Sequence, residues 1–117
     1  MKIKIKNLRL RCIIGFKPWE REKPQDVTVN IEFISSQEKA VQTDNIDDSV
    51  DYKKLKYKIV KCVEQSSFYL VEKLAGQILS IIMEDERINE ATVEVDKPHA
   101  LRFADSVSIS LTSKRSQ

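Results

Sequence analysis

Val93-Glu94-Val95-Asp96-Lys97-Pro98-His99-Ala100-Leu101-Arg102-Phe103-Ala104-Asp105-Ser106-Val107-Ser108-Ile109 is the stretch on which the fold turns. Apolar residues alternate at Val93 and Val95, and the alternation resumes at Val107, Ile109 and Leu111, so two half-buried strands flank a short connection that begins Lys-Pro. Pro98 removes a backbone donor and biases Lys97 towards extended geometry. The lysine is therefore presented from a strand end at the mouth of a hairpin. Spacing alone does not separate a chemical lysine from an ordinary surface one.

The same period of two recurs at the other end of the chain. Between Met1 and Ile14 its phase slips, because Ile3 and Ile5 share one parity and Leu8, Leu10 and Cys12 the other. A bulge near Lys6 and Asn7 restores one continuous apolar face. Val27, Val29, Ile31 and Phe33 form a second clean alternation. The charged segment from Gly15 to Asp26, with two of the three prolines, is then the connection between two strands and too long for a tight turn. After a polar stretch from Ser35 to Ser49, the rhythm becomes helical at Tyr52, Leu55, Ile59, Val60 and Val63, starting near Asp51, and again at Leu70, Val71, Leu74, Ile78, Leu79 and Ile82. The order ββααββ predicts an α+β domain: an antiparallel four-stranded sheet with two helices on one face. The first two strands are long, and oligomerisation is the expected way of closing their unpaired edges.

At 117 residues the chain fits one domain, 1–117, with one core. Its 20 basic and 18 acidic residues nearly cancel, which leaves no net field for nucleic acid or a membrane surface. Lys2, Lys4 and Lys6 share a parity, but no aromatic residue is interleaved for base stacking, and a solvated strand face is the better reading. Cys12 and Cys62 match no metal-ligand spacing, and no signal peptide or spanning segment is evident. A cytoplasmic protein with reduced thiols is the expectation.

Four residues attract attention as chemical candidates: Glu20 in the first connection, Tyr52 at the first helix start, Glu72 on the second helix and Lys97. Each has a plain explanation as a solubilising or packing residue. Glu72, however, falls between Val71 and Leu74 on a largely apolar helical turn, where an ionised carboxylate needs donors to offset desolvation.

These positions and their surroundings resemble the dihydroneopterin aldolase family. The likeness is carried by Ile5-Lys6-Asn7-Leu8-Arg9-Leu10-Arg11, Ile14-Gly15 with Glu20 and Gln25, Asp51-Tyr52, Leu70-Val71-Glu72-Lys73-Leu74, and Asp96-Lys97 followed by His99 to Ser108. No single motif is specific, but their order and spacing are. Aldolases proper usually carry Tyr-His-Gly at the first strand end and a Gly-His-Tyr-Asp hairpin after the lysine. Here Ile13-Ile14-Gly15 and a shorter His-Ala-Leu-Arg-Phe-Ala-Asp turn stand instead, which is more similar to the family's dihydroneopterin triphosphate 2'-epimerase branch.

The resemblance implies a tunnelling fold whose subunits close into an oligomeric barrel, stacked as a homo-octamer, with pterin sites between subunits. It implies that Glu72 and the Val71 backbone anchor the pterin. Lys97 would be the acid–base with Glu20 and Tyr52 beside it, Tyr52 arriving from another subunit, and His99 and Arg102 are candidates for the substrate's phosphate end. No metal or other cofactor is implied, because the reduced pterin ring is its own electron sink in a retro-aldol cleavage of C1'–C2'.

Overall fold

The computed structural model describes residues 1–36 and 38–116. Strands β1 (Lys2–Cys12) and β2 (Gln25–Ser35) form the first hairpin, and β3 (Ile88–Pro98) and β4 (Ser106–Lys114) the second. Between them lie a helical turn α1 (Ala40–Thr43) and the helices α2 (Tyr52–Glu64) and α3 (Val71–Met83). The sheet is antiparallel throughout in the order β1-β2-β3-β4.

The expected bulge is present. Pairing runs Ile3 with Phe33 and Ile5 with Ile31, then shifts and resumes as Leu8 with Val29 and Leu10 with Val27. Asn7, within the bulge, takes a left-handed conformation at φ 52°, and its N–H donates to Asn30 Oδ1 at 2.8 Å. Leu10 and Cys12 are thereby buried on the same face as Val27, Val29, Ile31 and Phe33.

Both helices lie on that face. Leu55, Ile59 and Val63 of α2 and Leu74, Ala75, Ile78, Leu79 and Ile82 of α3 recur at helical spacing and are buried in one core with Val93 and Val95. The Asp51 carboxylate accepts the Lys54 N–H at 3.0 Å and caps α2 where the sequence predicts its start. At the far end of α3, Arg115 donates to the Met83 and Asp85 carbonyls at 2.6 and 3.1 Å. On the helix-free face, Lys2 and Lys4 flank Glu32 at 3.6 and 3.5 Å, and Thr92 meets Thr112 at 2.8 Å.

Two readings need correction. The stretch Ser35 to Ser49 is not plain connection: it holds α1 and a 3-10 turn at Ile46–Asp48, whose Asn45 cap accepts the Asp47 N–H at 3.0 Å. Elements of three or four residues are too short to show a period. Of the first two strands, moreover, only β1 has a free edge. β2 is paired on both sides, so β1 and β4 carry the open backbone groups. Among the described residues no helix is long and apolar enough to cross a membrane.

Candidate active site

Lys97 shares the parity of Val93 and Val95, so its side chain enters the helix-covered side of the sheet at the very end of β3. There it is buried, and its ammonium donates to Glu20 Oε2. Glu20 is 77 residues away in sequence, on a 3-10 turn (Pro18–Arg21) that Pro18 helps to start. Its carboxylate also accepts the Lys17 N–H at 3.3 Å and the Gln25 side-chain amide at 3.3 Å, while the same amide donates to the Ile14 carbonyl at 2.8 Å. Burial pushes the Glu20 carboxyl up, but the Lys97 ammonium, Gln25 and the Lys17 amide outweigh it and hold the group below the usual carboxylate range.

Gly15 makes room for this carboxylate. Its φ of 117° suits glycine, and a Cβ built there would lie 2.3 Å from the Glu20 carboxyl carbon. Behind the pair sits the buried Cys12 thiol. Burial raises its pKa, with a Ser66 hydrogen bond and the Lys97 charge pulling the other way.

The pair forms one wall of a cleft of about 350 Å³, a size suited to a small bicyclic ligand. The opposite wall is the start of α3, where Tyr69, Leu70, Val71 and Glu72 line the opening. Glu72 is the second residue of the helix and is exposed, so the desolvation argument fails for the single chain. The reason is position: the first turn projects into the open cleft rather than against the sheet. No side chain caps this helix at Leu70, and its leading N–H groups face the favourable sign for a carboxylate. His99 lines the rim at φ 61°, with its N–H donating to the Asp105 carbonyl at 3.3 Å across the hairpin.

Two candidates are not brought to this cleft within one chain. Tyr52 is half-exposed at the start of α2 and lines a separate depression with Asp44 and Asn45. Arg102 is exposed outside the cleft lining and places its guanidinium over the Phe103 ring, 5.6 Å from the centroid. Among the described residues it forms no ion pair with Asp105. The charge that meets the buried Lys97 ammonium is the Glu20 carboxylate. Conversely, the roles of Gln25, Gly15 and Arg21 were not assigned from the sequence. One signal was available: the chain has only two glycines, and one stands directly after the first strand.

A buried amine hydrogen-bonded to a carboxylate can pass a proton to or from a bound hydroxyl. A second carboxylate across the cleft can accept two adjacent N–H groups of a flat heterocycle. Fold and site together define a tunnelling-fold protein in which a buried amine–carboxylate pair and an exposed carboxylate at a helix start line one cleft. The family model described as FolB, dihydroneopterin aldolase, matches residues 3–112, and the chain belongs to that family.

Among its relatives, the dihydroneopterin triphosphate 2'-epimerases of Pseudomonas aeruginosa and Escherichia coli are 41% and 42% identical, each over 97% of this chain and 93% and 94% of their own lengths. The dihydroneopterin aldolase of Escherichia coli is 26% identical over 90% of this chain and 86% of its own. The crystal structure of Escherichia coli dihydroneopterin aldolase in complex with neopterin superposes with a TM-score of 0.91 at 24% identity, covering 97% of this chain and 98% of that one.

Proposed function

We propose that this protein is a dihydroneopterin triphosphate 2'-epimerase, which inverts C2' of 7,8-dihydroneopterin triphosphate by retro-aldol and aldol steps. The observation that carries the reading is the buried Lys97–Glu20 pair set across one cleft from Glu72 at the start of α3. Glu72 and the Val71 backbone hold the pterin's 2-amino and N3–H edge, which aims the side chain at position 6 towards Lys97. The amine, having ceded its proton through Glu20 or solvent, takes the proton of the 2'-hydroxyl. The C2'–O bond becomes a carbonyl, the C1'–C2' bond breaks, and its electron pair passes into the protonated ring. Attack of C1' on the other face of the retained aldehyde returns the epimer.

The dihydroneopterin aldolase reaction is the second reading, because it uses the same intermediate. If C1' is protonated and the aldehyde leaves, the product is 6-hydroxymethyl-7,8-dihydropterin. Greater identity to the epimerases than to the Escherichia coli aldolase favours the first. Purified protein given dihydroneopterin and its triphosphate, with epimer and hydroxymethyl product separated by chromatography, tests both. Cleavage as the dominant outcome on either substrate overturns the epimerase reading.

The working unit in this proposal is a homo-oligomer, an octamer of two stacked rings, in which β1 and β4 edges pair between subunits and a neighbour's Tyr52 completes the cleft. We assign it to the cytoplasm, consistent with the free thiols of Cys12 and Cys62. A monomeric mass by light scattering at micromolar concentration, with activity retained, overturns the assembly.

A further inference from the structure

Resting on the epimerase reading, we propose that Arg21 is a positioning residue that sets the span between the proton-transfer pair and the pterin anchor. It follows Glu20 on the same 3-10 turn, yet its side chain points away from the carboxylate and reaches the segment ahead of α3. Nη1 donates to the Gly15 and Phe68 carbonyls at 2.9 and 3.1 Å, and Nη2 to the Ser67 carbonyl at 2.6 Å. The guanidinium also lies over the Tyr69 ring, 4.1 Å from its centroid. Among the described residues Arg21 forms no ion pair, so its charge serves main-chain carbonyls and one aromatic face.

These bonds tie together the parts that the reaction must hold in register. Gly15 lies against the Glu20 carboxylate, and its own N–H donates to the Phe68 carbonyl at 3.2 Å. One residue beyond Tyr69 comes Leu70, which immediately precedes α3 and leads directly into Val71 and Glu72. A single guanidinium therefore fastens the Glu20 side of the cleft to the Glu72 side. The planar fork explains arginine here, since one group reaches three acceptors in fixed directions and stacks as well. The Lys97–Glu20 bond does not depend on it, because Gln25 and Lys17 hold the carboxylate independently. Loss of Arg21 leaves each half of the site formed but lets their separation vary, and misplacement by about 1 Å is enough to cost on the order of a hundred-fold in a proton-transfer geometry.

The test uses the intact protein with Arg21→Met and Arg21→Lys, and unreactive neopterin as the binding probe. For Arg21→Met, kcat on dihydroneopterin triphosphate should fall ten-fold or more while the neopterin Kd stays within about three-fold; Arg21→Lys should recover part of kcat. A kcat within two-fold of the native value, or equal losses in kcat and neopterin affinity, overturns the proposal. Amide hydrogen exchange gives a readout independent of turnover. The Gly15, Lys73 and Leu74 amides, which donate to Phe68 and Leu70 carbonyls, should exchange at least ten-fold faster in Arg21→Met while Val29 and Val93 are unchanged. Unchanged exchange at all five overturns the clamp. If the native protein itself transforms neither pterin, the proposed function falls, and the clamp is then judged on exchange alone.

Discussion

Removing either partner of the Lys97–Glu20 pair should cost stability, and the two losses should be unequal and strongly coupled. The side chains are only 11% and 7% exposed, so each charge depends on the other more than a surface pair would. In Glu20→Ala the buried Lys97 ammonium loses its carboxylate, and an uncompensated buried charge left by removing one partner of such a pair costs about 3–5 kcal/mol. In Lys97→Ala the Glu20 carboxylate keeps the Gln25 amide and the Lys17 N–H. Those remaining donors still favour the charged form, so this loss is the smaller one. Glu20→Ala is therefore expected to be the more destabilising variant, by about 3–4 kcal/mol against about 2 kcal/mol. The double variant, with no orphaned charge, should cost less than the sum, giving a coupling of about 2–3 kcal/mol. Urea denaturation of the four proteins at one protein concentration closes the cycle. A coupling below about 0.5 kcal/mol, the range of exposed pairs, would refute the reasoning. The pH dependence adds a sign. Because folding lowers the Glu20 pKa, its contribution is present above the ordinary carboxylate value near 4.5 and disappears as pH falls through the lower folded value. The coupling should therefore shrink below about pH 4.5 and stay constant from pH 5 to 8.

Lys97→Ala should remove most turnover while neopterin still binds, whereas Glu72→Ala should weaken neopterin binding ten-fold or more; titration calorimetry beside the turnover assay separates them, and loss of affinity alone in both would make the assigned roles wrong. Gly15→Ala places a Cβ where the Glu20 carboxylate lies and forces an unfavourable φ of 117°, so it should cost about 1–3 kcal/mol by urea denaturation and lower kcat as well. Arg102→Ala should lower kcat/KM for the triphosphate about ten-fold and leave dihydroneopterin nearly unchanged, as expected for about 1.5 kcal/mol of lost charged hydrogen bonding; equal losses on both substrates would assign Arg102 to the hairpin instead.

What the sequence reveals follows the length scale of each interaction. The bulge is legible because a period of two records every slip: Ile3 and Ile5 against Leu8, Leu10 and Cys12 cannot share a face unless two residues are spent between them. The start of α2 is legible because Asp51 precedes a helical rhythm and an aspartate there has a donor to accept. The start of α3 is legible in its apolar spacing, but not in its exposure. Glu72 looks buried when read beside Val71 and Leu74, because neighbours in sequence do not tell which turn of a helix runs off the end of a sheet. The Arg21 bonds escape for another reason. Main-chain carbonyls accept from any donor that reaches them, so no residue type at Ser67 or Phe68 announces the contact. Only the family resemblance pairs Glu20 with Lys97, since nothing local links residues so far apart.

Their meeting nevertheless has a topological cause. β1 and β2 are joined as a hairpin, so the end of β1 and the start of β2 lie at the same end of the sheet, where Gly15, Glu20 and Gln25 cluster. β3 runs antiparallel to β2, so the end of β3 reaches that end too and delivers Lys97. α3 is followed by β3 after a connection of four residues, 84–87, which makes the helix run back along the strand, so its start lies beside the strand's finish. Four segments distant in sequence thus converge because alternating directions permit no other arrangement with short connections. The division of labour follows from what each segment is. Lys97 stands on a strand paired on both sides, where the backbone is most rigid, while Glu20 sits on a turn that needs Gly15, Gln25 and Lys17 to fix it. Glu72 lies on a helix start that Arg21 and the Gly15–Phe68 bond join to the turn carrying Glu20. In the proposed function the two groups that exchange a proton are held by the sheet end and the group that selects the heterocycle is held across this joint, which makes it the place where catalysis and recognition are expected to be altered separately.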